Sequence, residues 1–147
     1  MALAGDIITA SMLTVPSNEA EDPVVGRTTS SGAYADASSG PLSAAVTVPV
    51  SGRVAVEIRS TQRNSSTANT ITSWVAVGSV SGTVYSPNDN AALITPGANN
   101  QPLDLRKHLG GLTPGETLTV TIKHRVNNIS TQGIFDYRLI LIESLWG

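Results

Sequence analysis

Cysteine is absent from this chain of 147 residues, which excludes disulfide bonds, thiol catalysis and cysteine-based zinc sites. Aromatic residues are few: one Phe, three Tyr and two Trp. A core must therefore come mainly from Val, Ile, Leu and Ala, and small β-branched side chains suit a sheet. Charge is scarce and balanced, with 9 basic and 11 acidic residues for a net −2. That leaves no electrostatic footprint for nucleic acid, whose binders concentrate Lys and Arg on one face. No apolar run approaches membrane-spanning length, so no membrane partner is expected. Met1-Ala2-Leu3-Ala4-Gly5-Asp6 has neither a basic start nor a continuous apolar stretch, so no secretory signal is expected there.

What the chain has in quantity is Ser and Thr, 33 together against 20 charged residues, a balance that favours strands, turns and polar loops over exposed helices. Its size fits one domain with a real core. Two long strands are written near the end. In the first, Leu118, Val120, Ile122 and His124 alternate with Thr119, Thr121, Lys123 and Arg125, the period-2 pattern of one packed and one wet face. In the second, over residues 134–145, Phe135, Tyr137, Leu139 and Leu141 fall on one face. Ile140 and Ile142 make the other face apolar too, so this strand is expected to be covered on both sides, by its own domain or by another subunit.

Residues 1–41 read as an N-terminal arm and loop, and residues 42–147 as the folded domain. In the arm, Ile7, Ile8, Met12 and Leu13 recur at roughly helical spacing, enough for a turn or two of helix that must draw its stability from contacts. An acidic loop through Glu19, Glu21 and Asp22 follows, then a Ser/Thr/Gly/Ala tract to Gly40. From Leu42 the strand signal is dense. Residues 44–50 and 53–60 are read as a hairpin about Ser51-Gly52, with Val54, Val56 and Ile58 facing one way. Pro49 places the first of these at an edge, or ends it near the proline. Another strand covers residues 70–80, with Trp74 and Ala76 on one face, and shorter ones follow around Thr83-Val84-Tyr85 and Ala92-Leu93-Ile94. Residues 103–109 read as a helical turn or irregular. Many short strands, turn punctuation and no crossover-length helix predict an all-β protein, an antiparallel β-sandwich or jelly-roll-like domain with an extended N-terminal arm.

Candidates for chemistry are thin. His124 sits in the apolar register of its strand, where a packed, hydrogen-bonded imidazole is expected, and His108 in Arg106-Lys107-His108 reads as exposed. No nucleophile elbow, zinc helix, P-loop or dinucleotide fingerprint occurs, so no catalytic residue and no cofactor is expected. Asn88-Asp89-Asn90 offers oxygen atoms to a cation but lacks the spaced carboxylates of a calcium loop, and reads as an Asx turn. Arg53, Arg59 and Arg63, interleaved with Glu57, read as a solvated strand face. Asp136 is expected to pair with Lys123 or Arg125 across strands. Asn64-Ser65-Ser66 and Asn128-Ile129-Ser130 match the glycosylation sequon by chance.

Three stretches carry a resemblance. Gly5-Asp6-Ile7-Ile8-Thr9-Ala10-Ser11-Met12-Leu13 resembles the Gly-x-x-Ile-Thr-Ala-x-x-Leu start of many short structural proteins of tailed bacteriophages, particularly actinobacterial phages. Arg27-Thr28-Thr29-Ser30-Ser31, followed by Val46-Thr47-Val48-Pro49-Val50-Ser51-Gly52-Arg53-Val54, resembles their first sandwich strands, and Tyr137-Arg138-Leu139-Ile140-Leu141-Ile142-Glu143 their last. The resemblance implies a non-enzymatic virion protein on the capsid surface or tail, assembled as a trimer or other symmetric oligomer. Its implied partners are itself and the major capsid protein or another virion protein. Decoration of the capsid is the leading expectation, with Ile7, Ile8, Met12, Leu13, Ile140, Ile142, Leu145 and Trp146 as the assembly surface. The rival reading is a tail-associated, receptor-binding β-sandwich that takes carbohydrate, with Trp74, Trp146, Tyr34 and Tyr85 as stacking platforms.

Overall fold

A computed structural model of the chain describes residues 17–145. Its strands are β1 (Ser17–Asp22), β2 (Arg27–Thr29), β3 (Ser43–Thr47), β4 (Val54–Asn64), β5 (Asn69–Gly78), β6 (Gly82–Tyr85), β7 (Leu93–Pro96), β8 (Gln101–Leu109), β9 (Thr117–Val126) and β10 (Gly133–Ser144), with a single 3-10 turn at Asp89–Ala91. They form two five-stranded sheets. The first runs β1-β10-β4-β8 with β2 on the far end of β10, and the second runs β3-β9-β5-β6 with β7 on β5. Every pairing is antiparallel. The protein is an all-β antiparallel sandwich, as its patterning predicts.

Local expectations are corrected in three places. Residues 44–50 and 53–60 are not a hairpin: β3 pairs with β9 and β4 with β10 and β8, so the chain changes sheet at Ser51-Gly52. Gly52 makes that change with φ +67, and a Cβ there would lie 2.8 Å from the Leu112 carbonyl oxygen, so no other residue fits without strain. Residues 103–109 are not helical but belong to strand β8. Its inner-face positions Leu103, Leu105 and Leu109 alternate with exposed Asp104, Arg106 and His108, and sheet pairing overrides any local helical preference. Finally, β1 and β2 lie within the stretch read as an arm, yet both pair with β10 in the first sheet. Ser17-Asn18-Glu19-Ala20-Glu21-Asp22 carries little apolar alternation because it lies at a sheet edge with one wet face. The remaining arm residues, among them Ile7, Ile8, Met12 and Leu13, lie outside the described residues.

The core between the sheets has two halves of different chemistry. One is apolar: Val54, Val56 and Ile58 of β4, Trp74 and Ala76 of β5, Leu118, Val120 and Ile122 of β9, and Ile140 and Ile142 of β10 are buried against one another. Each large aliphatic side chain buried here contributes about 1.5–3 kcal/mol. The other half is polar. Gln62, Asn64, Thr70, Thr72, His124 and Arg138 continue the same inward registers of these strands and are equally buried. Their hydrogen bonds run as a directed chain. Arg138 Nη1 donates to His124 Nε2 at 3.0 Å, and the imidazole donates through Nδ1 to Thr72 Oγ1 at 2.8 Å. Thr72 donates to Gln62 Oε1 at 2.6 Å, and Gln62 Nε2 donates to the carbonyls of Thr70 (3.0 Å) and Leu93 (3.2 Å). Buried polar groups persist only when paired in this way.

This arrangement holds His124 neutral. Burial is the main reason its pKa falls well below the usual value, reinforced by the positive charges of Arg138 and Lys123. Arg138 is balanced by Asp22 of β1, with which it forms an ion pair. Burial alone would raise the Asp22 carboxyl. Hydrogen bonds from Arg138, the Val24 N–H and Arg27 outweigh it and hold the group below the ordinary carboxylate range.

Candidate functional site

Among the described residues, those nominated from sequence are not gathered into one site by the fold. Ile140 and Ile142 are 0% exposed and face the second sheet, so they belong to the protein's own core and are corrected as interface residues. Leu145 follows β10 with its N–H bonded to Arg53 O. Ile7, Ile8, Met12, Leu13 and Trp146 lie outside the described residues. Nor are Trp74, Tyr85 and Tyr34, the nominated aromatics among the described residues, free platforms. Trp74 is 0% exposed and stacks on Tyr85 at 4.0 Å, with Lys107 Nζ 5.6 Å from the other ring. The Tyr34 hydroxyl donates to Asp89 at 2.6 Å. Burial and that carboxylate push its pKa up. Asp89 is also ion-paired with Arg125, so its oxygens are committed. Asp136 pairs with Arg63 rather than with Lys123 or Arg125, which go to Asp36 and Asp89.

A different place emerges on the outer face of the first sheet. A cleft of about 350 Å³ is lined by Arg59, Ser60, Thr61, Pro102, Leu103, Asp104 and Tyr137. Strand register builds it. Tyr137, Thr61 and Pro102 lie in one row across β10, β4 and β8, and Glu21, Leu139, Arg59 and Asp104 lie in the next, reaching β1. With neighbouring strands about 4.8 Å apart, the floor from Tyr137 to Pro102 is about 10 Å wide. The Tyr137 hydroxyl donates to Glu21 Oε2 at 3.2 Å. Burial first, then that carboxylate, raises its pKa, so it keeps its proton. Arg59 is held upright by Glu57 through Nε (3.1 Å) and Nη2 (2.8 Å), bonds that leave Nη1 unused. Asp104 has no hydrogen-bond or ion-pair partner among the described residues.

The cleft exists because β10 is bulged. The ladder to β4 shifts between Phe135 and Tyr137, and Asp136 is the extra residue. Its carboxylate pins the bulge by accepting from Arg63 Nη1 at 2.6 Å, Asn100 Nδ2 at 2.6 Å and the Gly26 N–H at 3.0 Å. Burial works against its ionisation, and these donors prevail and lower its pKa. Strict alternation puts Phe135 and Tyr137 on one face. With the bulge, Phe135 turns inward to 0% exposure and lies 3.9 Å from the His124 ring, while Tyr137 turns outward to the cleft. The only trace in the sequence is a polar residue set between two aromatics.

No protein-family model matches the chain, and no curated protein matches it. Among solved structures, it is similar to the CBM36-1 domain of a multidomain xylanase from the hindgut metagenome of Trinervitermes trinervoides, with 11% identity over 84% of this chain and 95% of that one, at a TM-score of 0.43. It is similar to the Eiger TNF of S. frugiperda, with 11% identity over 89% and 94% of the two chains and a TM-score of 0.45. It is also similar to the enzymatically active domain of tailspike protein 4 of bacteriophage CBA120, with 7% identity over 84% of this chain and 19% of that one, at 0.36. With identities and scores this low, none of these likenesses assigns a ligand, partner or activity.

Proposed function

We propose that the protein is a non-catalytic carbohydrate-binding β-sandwich carried on the tail of a phage virion, where it holds a surface glycan in the Tyr137 cleft. The observation that carries this is the pairing of an unpartnered carboxylate, Asp104, with a half-committed guanidinium, Arg59, in a cleft that Tyr137 also lines. A sugar ring presents an apolar face to an aromatic ring and adjacent hydroxyls to paired donors and acceptors. A cleft of about 350 Å³ suits one or two such units. Asp104 is the one carboxylate among the lining residues, whereas glycosidic hydrolysis generally takes two, which supports binding without cleavage. The virion location rests on the resemblance of the opening and closing stretches to phage structural proteins.

The test is a glycan microarray, followed by calorimetry of the best ligand with the wild type and Tyr137→Ala. A loss of tenfold or more in affinity with an unchanged melting temperature is the expected result. Failure to bind any glycan, or binding indifferent to Tyr137, overturns the reading.

Capsid decoration is the second reading. One part of the outer face of the second sheet favours it: Ser43 and Ala45 of β3, Thr119 and Thr121 of β9, and Val75 and Val77 of β5 form an uncharged patch, beyond which lie Lys123 and Arg125 of β9. Such a patch suits packing on a shell. Co-sedimentation with undecorated heads that survives Tyr137→Ala would favour it over glycan binding.

A further inference from the structure

Strand β8 ends the first sheet, and among the described residues no strand pairs with its outer side. Which backbone groups it leaves open follows from its neighbours. On and beside β4, Arg53 O accepts from Leu145, beyond β10, while Gly52 O accepts from Leu112 and Asn64 N–H donates to Gly97, both on the β8 side. The direction of pairing alternates along a strand. Val54, Val56, Ile58 and Ser60 therefore address β8, and their partners there are Leu109, Lys107, Leu105 and Leu103. The intervening residues Pro102, Asp104, Arg106 and His108 turn their backbone groups to the open edge. Pro102, which has no N–H, sits where the ladder to β4 does not need one.

We infer that this edge pairs with the β8 of a second copy, antiparallel about a two-fold axis through Leu105, joining the first sheets of two molecules into one. In that register Asp104 faces Arg106 of the other copy, twice, as a pair that exchanges both backbone bonds. Asp104 and Arg106 both project from the exposed face of β8, so opposite charges meet directly across the junction. An alignment shifted by one pair in either direction sets Asp104 or Arg106 against itself. The strand is thus self-complementary in one register, which a two-fold interface requires.

Two further observations agree. Leu103 and Leu105 pack on the core but remain partly exposed along this edge, and a second copy would cover them. Lys107, an inward-pointing charge of the kind that ordinarily discourages edge pairing, is held over the Tyr85 ring at 5.6 Å and does not reach across. Arg106 now pairs with Glu143, both side chains being about 40% exposed. Such a surface pair exchanges partners at little cost. The joined sheet would carry two Tyr137 clefts on one continuous face, with one oxygen of each Asp104 carboxylate on Arg106 of the other copy and the second left for the cleft it lines, so that two sugar units of one polymer are bound together.

The experiment is light scattering on the full chain, with Asp104→Arg, Arg106→Asp and the double exchange. The wild type is expected at twice 15.2 kDa, both single variants as monomers, and the double exchange as a dimer again, because it restores the opposite charges in reverse. Single variants that stay dimeric, a trimeric wild type, or a wild type that stays monomeric would each overturn the pairing. Mass does not depend on glycan, and Arg106, unlike Asp104, does not line the cleft, so glycan affinity is read on Arg106→Asp alone and failure here and failure of the carbohydrate reading are separately visible.

Discussion

Arg138 donates to His124 inside the sandwich across 3.0 Å, which requires the imidazole to be unprotonated on Nε2. A proton there would set two cations against each other where water does not reach. The pKa of His124 is lowered on folding, so the unfolded chain binds the extra proton first. Stability from this group is complete above the unfolded value of about 6.5 and falls as the pH drops below it. Asp22, also lowered, adds a loss of the same sign at more acidic pH, as its carboxyl is forced to accept a proton. Thermal melts are expected to show stability declining by up to about 1.4 kcal/mol per pH unit below about pH 6. His124→Gln should flatten the slope between about pH 6 and pH 4.5 while lowering stability at neutral pH. An unchanged slope in that variant would assign the acid sensitivity to other groups.

Arg138 and Asp22 are an ion pair whose side chains are 2% and 11% exposed. Removing one partner of so buried a pair leaves the other uncompensated, a change that costs about 3–5 kcal/mol. Arg138→Met should fall in that range by urea denaturation. Asp22→Asn combined with Arg138→Met should lose clearly less than the two single losses added together, because the stranded charge is then gone. Additive losses would mean that the pair is not coupled.

The architecture was readable from the strands with clean alternation. Leu118, Val120 and Ile122 on β9, and Val54, Val56 and Ile58 on β4, face inward as their spacing requires, and His124 is packed and bonded in the same register. Strand partners were not readable, since pairing is decided by long-range contacts: β3 and β4 look like a hairpin locally and lie in different sheets. The cleft was hidden for a sharper reason. One extra residue, Asp136, reverses which face Tyr137 takes, and the partners that hold it there, Arg63, Asn100 and Gly26, come from three distant parts of the chain. Periodicity carries no record of such a bulge.

Asp136 does not line the cleft, yet the position of Tyr137 depends on it. Asp136→Ala leaves Asn100 Nδ2 without its acceptor, while the Gly26 N–H keeps Phe135 O and Arg63 Nη1 keeps Asn100 Oδ1, and should cost about 1–3 kcal/mol. It should also weaken the proposed glycan binding severalfold by freeing β10 to slip register. Tyr137→Phe keeps the bulge and the ring and loses only the hydroxyl bond to Glu21, so its affinity should stay within about threefold of the wild type. Calorimetry on the two variants separates placement of the ring from chemistry at its hydroxyl, and equal losses would contradict the assignment.

Gly78 and Glu116 lock the end of the second sheet. Glu116 is 4% exposed, and its Oε2 accepts from the Val80 N–H (3.2 Å), the Ser81 N–H (2.9 Å) and Ser81 Oγ (3.0 Å). The carboxylate thereby closes the turn from β5 to β6. A Cβ on residue 78 would stand 2.2 Å from Glu116 Oε1. A carboxylate at the end of a side chain can usually swing away, but this one is itself buried and would have to abandon the Val80 and Ser81 donors that satisfy it. Gly78→Ala should therefore destabilise by about 1–3 kcal/mol. The loss should largely disappear in a Glu116→Ala background, where the clash is gone and the turn donors are already unpaired. If Gly78→Ala costs as much in that background as in the wild type, the close approach of Glu116 is not what reserves this position for glycine.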